Sequence, residues 1–295
     1  MKTLDFIHLS FPQKNETIRQ LFTALAFRTF DPYHIVRTDI VEACAESLTL
    51  PDRIAFWHLW ELNFQRSIRD FYRYPQDAFK SMPNQVVVSD PTCLDQLRRD
   101  GGLVLTYHTH HQNTLCCALG MLGSKIWAIA NRPESSPLYP FIGHWASKLN
   151  RSSESHFRGG QYLYTDDLKS IAVQVPKLFL SSSALVCLVD VHQPSPRSPK
   201  LKLFNRLIEP PVGVIESARK AGAPFYLALL IPNEGSSIHP PLHATYELRI
   251  EQISNTSASE SILRFYFQRL EQLLQRHPYL WQGWQWLDGL PSRDD

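Results

Sequence analysis

Four short apolar runs constrain this chain more than anything else in it: Leu103–Tyr107, Ile126–Ala130, Ala184–Asp190 and Phe225–Ile231. None alternates apolar with polar residues, so each must be buried on both faces, as the strands of a parallel sheet are. Between them lie stretches of helical character, Leu168–Leu180 and Gly213–Ala221, the second ended by Gly222. Strands separated by helices predict an α/β fold: a central, mostly parallel sheet with helices on both faces. Val86–Val88 reads as a further strand. In Ala244–Gln252, Ala244, Tyr246, Leu248 and Ile250 alternate with Thr245, Glu247, Arg249 and Glu251, the pattern of a strand with one wet face.

Before about residue 80 the text is helical. Phe56, Leu59, Trp60, Phe64, Ile68 and Phe71 form a helical stripe, with Arg53, Arg66, Arg69 and Arg73 elsewhere around it. Residues 1–82 are therefore read as an amino-terminal helical extension and 83–295 as the α/β domain. A late helix, Ala258–Arg276, carries Leu263, Tyr266, Phe267, Leu270 and Leu274 on one stripe. Pro/Ser-rich pieces at Pro133–Pro140, Gln193–Lys200 and Asn233–Pro241 read as loops after strands, where α/β folds place ligand sites.

Charge and cysteine content exclude several classes. Thirty Lys+Arg against 28 Asp+Glu leave a formal charge of +2, so no global field recruits nucleic acid. Five cysteines with no Cys-x-x-Cys spacing suggest neither a disulfide framework nor a zinc knuckle, and fit a reducing cytoplasm. No run approaches the roughly 18 consecutive apolar residues that cross a bilayer, and Met1–Pro12 reads as neither signal peptide nor anchor. Peripheral contact with a membrane stays open. There is no GxSxG elbow, P-loop or GxGxxG motif after a strand.

The densest polar cluster is Tyr107-His108-Thr109-His110-His111-Gln112-Asn113, between a buried strand and the apolar helical run Leu115–Leu122. A polar knot at such a junction is costly unless it bonds something. Two chemistries fit it. In one, His108 is a general base whose tautomer is fixed by a polar residue five positions on, Asn113, or by a carboxylate from elsewhere, with His111 beside it. In the other, His108, His110 and His111 begin a metal site, to which Asp190-Val-His192 adds ligands if the fold brings it close. Cys116 and Cys117 are a third, weaker option as nucleophiles beside a histidine.

The cluster also carries a resemblance. The lysophospholipid acyltransferase superfamily has His-x-x-x-x-Asp/Glu after a buried strand, and the chain resembles most its late lipid A acyltransferases. Gly101-Gly102-Leu-Val-Leu-Thr-Tyr-His108 resembles their strand running into the histidine. Asn131-Arg132-Pro133-Glu-Ser-Ser-Pro137-Leu138 is similar to their Arg-Pro-x-x-x-Pro-Leu segment, and Asp167-Leu168-Lys169 to their Asp-Leu-Lys. Asp190, with Pro196-Arg197-Ser198 and Leu203-Phe204 after it, is similar to their Asp-containing turn and Phe-containing loop. Gly213–Pro224 resembles a helix ending in Gly-Ala, and His277-Pro278-Tyr279-Leu280-Trp281 a closing Pro-x-x-Tyr-x-Trp. Together these span roughly residues 85–286 in the family's order.

The resemblance implies a glycerolipid-acyltransferase-like fold and transfer of a fatty acyl group from a thioester of acyl carrier protein or coenzyme A. The acceptor is a lipid or a small hydroxyl or amine compound, and no cofactor is implied beyond the thioester. His108 would be the base, with Asn113 and His111 beside it, and Arg132, Asp167 and Asp190 would bind substrate. The implied location is the cytoplasm or the cytoplasmic face of the inner membrane. Three departures stand out: Asn113 in place of the acidic residue, no amino-terminal membrane helix, and Gln282-Gly283-Trp284-Gln285-Trp286 where the family has an Arg-rich stretch. Two alternatives remain, a metal-dependent hydrolase and a non-catalytic module binding acyl chains or a carrier protein.

Overall fold

The computed structural model describes residues 32–50, 52–57, 59–60, 63, 86–132, 147, 150–233, 245–254 and 258–287, with backbone alone for 32–39 and 285. The expected segment Met1–Pro12, the loop Pro133–Pro140, most of Asn233–Pro241 and the basic helix beyond residue 63 lie outside them. No helix among the described residues is long and apolar enough to cross a membrane.

The first helix, α1 (Pro32–Ser47), and a helical stretch within 53–60 precede β1 (Val86–Val88). Then follow α2 (Pro91–Asp100), β2 (Gly102–Thr106), α3 (Gln112–Met121), β3 (Ile126–Ala130), β4 (Tyr162–Tyr164), α4 (Leu168–Phe179) and β5 (Ala184–Leu188). The remainder comprises the hairpin β6–β7 (Leu201–Leu203, Arg206–Ile208), α5 (Gly213–Lys220), β8 (Phe225–Pro232), β9 (Tyr246–Gln252) and α6 (Ser259–Arg276). A 3₁₀ turn (Pro278–Leu280) and the short α7 (Trp284–Leu287) close it.

Seven strands form one mixed, mostly parallel sheet in the order β1-β9-β8-β2-β5-β3-β4. The five from β8 to β4 run parallel; β9 is antiparallel to β8, and β1 runs with β9. Successive residues of β2 go to opposite faces. Leu103 and Leu105 join one core with α4, α5, α6 and the carboxyl-terminal aromatics, whereas Val104 joins the other with α2 and α3. Helices on both faces thus account for the missing alternation in the sequence. The helical extension belongs to the first core: Ile40, Cys44, Phe56 and Trp60 pack in one cluster with Leu105, Tyr107 and Trp281.

Local chemistry explains the entry to β2. Asp90 caps α2 by accepting the Cys93 N–H at 3.0 Å, Pro91 opens the helix, and Gly101 ends it by donating to the Leu97 carbonyl at 2.9 Å. Gly101 has φ +67°, and a Cβ there would lie 2.5 Å from the Ser183 carbonyl oxygen. Only glycine fits between this turn and the neighbouring chain.

Candidate functional site

The register of two central strands builds the site. Thr106 at the end of β2 pairs with Leu188 at the end of β5. Two residues beyond each partner lie His108 and Asp190, both at the carboxyl edge of the parallel strands, where α/β proteins bind their ligands. The helices that follow leave on opposite faces, α3 toward one core and α5 toward the other.

Asp190 is wholly buried, while the His108 side chain keeps 26% of its surface accessible. Nδ1 of His108 lies 2.8 Å from Asp190 Oδ1, and the His108 backbone N–H donates to Oδ2 at 2.9 Å. The indole N–H of Trp281 donates to the same Oδ2 at 2.7 Å. The Tyr266 hydroxyl stands between Asp190 Oδ1 (3.1 Å) and the Thr106 carbonyl (2.7 Å), so its single proton serves both. In turn the Tyr107 hydroxyl donates to the Tyr266 carbonyl at 2.8 Å. A buried carboxylate held by this many donors is ionised and fixed in orientation.

The electrostatics of the pair are mutual. Burial pushes the Asp190 carboxyl up, but the His108 charge and the hydrogen bonds from His108 and Trp281 outweigh it, leaving the group below the usual carboxylate range. Burial pushes His108 down, yet the Asp190 charge and hydrogen bond prevail and the imidazole ends above its ordinary value. With the Nδ1 proton directed at Asp190, the neutral ring carries its lone pair on Nε2. That is the arrangement of an oriented general base.

The polypeptide around His108 is tightly wound. The Thr109 N–H donates to the Tyr107 carbonyl at 2.6 Å, and the His108 carbonyl accepts from the Gln282 N–H at 2.7 Å. Thr109 also forms an antiparallel bridge with Trp281, and the Trp286 ring meets His108 edge-on at 5.3 Å between centroids. The carboxyl-terminal turn therefore forms one wall of the site.

The other expected residues fall in different places. Asn113 is exposed on the first turn of α3, and Asp190, 82 positions from His108, is what holds Nδ1. His111 is buried at the start of α3 against Tyr246, and His110 is buried against Trp60 with its Nδ1 3.2 Å from Gln282 Nε2. Burial and the neighbouring His111 hold His110 well below its ordinary value. Arg132 pairs with Asp166 at 2.5 Å and lies over the Tyr164 ring, on the surface at the end of β3. Asp167 caps α4 by accepting the Ser170 N–H at 3.0 Å.

The metal and thiol options fare differently from the base. His192 accepts the Glu209 N–H on its Nδ1, and among the described residues no three His, Cys, Asp or Glu side chains gather as a ligand group. Burial pushes Cys116 up to about 12 and Cys117 well above its ordinary value, so neither thiol ionises near neutrality. Tyr266, Trp281 and Trp286, which shape the site, were visible in the sequence only as apolar stripe and closing aromatics. Their polar atoms gave no periodic signal. The chain matches no known family model and no curated protein.

Proposed function

We propose that this protein is an acyltransferase in which His108 is the general base. It would move a fatty acyl group from the thioester of acyl carrier protein or coenzyme A to a hydroxyl or amine, in the manner of the lipid acyltransferases its sequence resembles. The observation that carries this reading is the His108–Asp190 pair at the carboxyl edge of β2 and β5, a part-accessible imidazole backed by a buried, multiply bonded carboxylate.

In this reading Nε2 of His108 removes the proton from the acceptor as its oxygen or nitrogen attacks the thioester carbonyl. The N–H groups at the start of α3 supply donors for the oxyanion. As the tetrahedral intermediate collapses, the carbon–sulfur bond breaks and the thiolate takes the proton from the imidazolium. No acyl-enzyme forms. Base assistance of this kind contributes about 10²–10⁴-fold. Asp190 keeps the proton on Nδ1 and stabilises the imidazolium, the charge that a residue such as Asn113 could not offer. Arg132, on the same edge, would engage a phosphate of the acceptor or of the donor's phosphopantetheine arm in exchange for Asp166.

The test is incubation of the purified protein with acyl-carrier protein or acyl-CoA and a lipid-plus-metabolite extract, read by mass spectrometry. The expected result is release of free thiol and a product heavier by one acyl residue, both lost in His108→Ala. Turnover that survives His108→Ala, or thioesters left intact with every acceptor, overturns the proposal. Intact thioesters with tight acyl-carrier binding would identify a binding module instead.

A further inference from the structure

We propose that Trp281 is a positioning residue of this site: its indole N–H locks the Asp190 carboxylate, which then holds the His108 imidazole in the Nδ1–H tautomer. The inference builds on His108 as the base, but it concerns the state of the ring and can be read without a substrate.

Three features separate Trp281 from an ordinary core tryptophan. The first is its bond to Oδ2. At 2.7 Å it is shorter than the 2.9 Å bond from the His108 backbone. The His108 N–H moves with the loop it is meant to hold, whereas the indole N–H reaches the carboxylate from outside that loop. Second, Trp281 is itself anchored. It is fully buried, its carbonyl accepts the Trp60 indole N–H at 3.2 Å, its backbone bridges Thr109, and the next residue donates to the His108 carbonyl. The donor and the imidazole are therefore fixed in one frame.

Third, the backbone leaves space for the indole there. A Cβ on Gly283 would lie 2.0 Å from Cε2 and Cζ2 of Trp281, so only glycine lets the backbone pass the ring. The Trp284 ring then packs edge-on against it at 5.0 Å. An indole placed for bulk alone could sit in either orientation about its ring plane; this one presents its single polar atom to the single carboxylate.

The titratable groups facing Asp190 are His108, Tyr107, Tyr266 and Cys187. Burial raises both tyrosines well above their ordinary value and pushes Cys187 up to about 12. Near neutrality His108 is thus the member of this set that changes charge, and Trp281 senses it through one shared carboxylate.

The test is nuclear magnetic resonance of the full-length, ¹⁵N-labelled chain. In the wild type the Trp281 indole N–H should be protected from exchange and shift with pH at the midpoint of the His108 ring nitrogens. In Trp281→Phe the neutral His108 ring should pass from one tautomer to a mixture. Gly283→Ala, which displaces the indole without removing it, should do the same in milder form. Where turnover is measurable, Trp281→Phe should lower kcat by roughly 10–100-fold, the range for an outer-shell partner, with KM nearly unchanged. A Trp281 signal blind to the His108 titration overturns the proposal, as does a folded Trp281→Phe that keeps a single tautomer and an unchanged midpoint. If the phenylalanine variant does not fold, the wild-type titration decides. Failure of acyl transfer with these signals present would reject the proposed reaction and leave the role of Trp281 standing.

Discussion

Both the backbone N–H and the ring Nδ1 of His108 end on the one carboxylate of Asp190, at 2.9 and 2.8 Å. Asp190→Asn should preserve the shape of this contact and remove its charge. An amide that presents its NH₂ to Nδ1 would also favour the wrong tautomer, so under the proposed reaction turnover should fall on the order of 10²–10⁴-fold with substrate binding retained. The pH profile separates charge from geometry. A general base works as the neutral ring, so kcat/KM in the wild type should rise with pH through a midpoint above 6.5, because Asp190 lifts His108. In Asp190→Asn that lift is gone while burial remains, and the midpoint should drop. An unchanged midpoint would remove Asp190 from the mechanism.

The same pair sets a pH window for stability. His108 is raised in the folded state, so its contribution is full below its unfolded value near 6.5 and fades as pH rises through the folded value. Asp190 is lowered, so its contribution is present above 3.8 and is lost as pH falls through its folded value. Urea midpoints should therefore be highest between these limits and decline toward pH 9. His108→Gln should lose most relative to wild type at pH 5 and least at pH 9, and a difference that grows with pH contradicts the pairing.

What the sequence disclosed and what it hid divide along a physical line. The strands β2, β5 and β8 were legible because their unbroken apolar runs are buried almost throughout. β3 showed the same kind of run, although Trp127, Ile129 and Ala130 keep part of their surface accessible, so it is not buried on both faces as expected. The three-residue β4 and the hairpin β6–β7 were not legible, since runs that short carry no period and the hairpin follows a Pro/Ser-rich loop. Pro176 sits inside α4 without ending it; its missing N–H removes the helical donor to Ala172, an exposed residue. For the site, His108 stood out as a polar residue leaving a buried strand. Asp190 was legible as a carboxylate ending a buried strand, one of those that could replace Asn113. Its pairing with His108 was not, because adjacency of β2 and β5 is set by how the whole sheet assembles. Asn113 lies five residues on in the chain, whereas the fold brings Asp190 from beyond the neighbouring strand β5.

Asn113 gives a direct check of that substitution of partners. It is exposed on α3 and the Nδ1 it was expected to orient is already held. Asn113→Ala should alter unfolding free energy by no more than about 0.5 kcal/mol and leave turnover within about twofold, as an isolated surface change does. A hundredfold loss in a folded Asn113→Ala protein would restore the five-residue motif as the working one.

Gly160 tests the packing under β3. A Cβ there would lie within bonding range of the Ile126 carbonyl, and that oxygen belongs to backbone rather than to a side chain that could move aside. Gly160→Ala should destabilise by about 1–3 kcal/mol or more, the usual cost of overpacking. Gly213, with nothing near its missing Cβ and an ordinary helical start, is the matched control. Thermal melts of the two alanine variants should differ by several degrees, and equal melts would mean that β3 and the Gly160 turn are not in this contact.

Arg132 allows binding and stability to be separated. Its pair with Asp166 is between side chains that are 45% and 53% exposed, a class of contact worth about 0–1 kcal/mol. Arg132→Ala should therefore barely move the melting temperature. If the guanidinium takes a substrate phosphate, the same variant forfeits a charge-assisted hydrogen bond of about 1.5–3 kcal/mol, and KM for the phosphate-bearing substrate should rise roughly 10–100-fold at nearly constant kcat. Asp166→Asn removes the competing carboxylate and should leave KM equal or lower. Arg132→Lys should recover only part of the loss, because an ammonium cannot form the paired bonds. Parallel increases in KM for Arg132→Ala and Asp166→Asn would instead show that the ion pair holds the loop after β3 and that neither group meets the substrate.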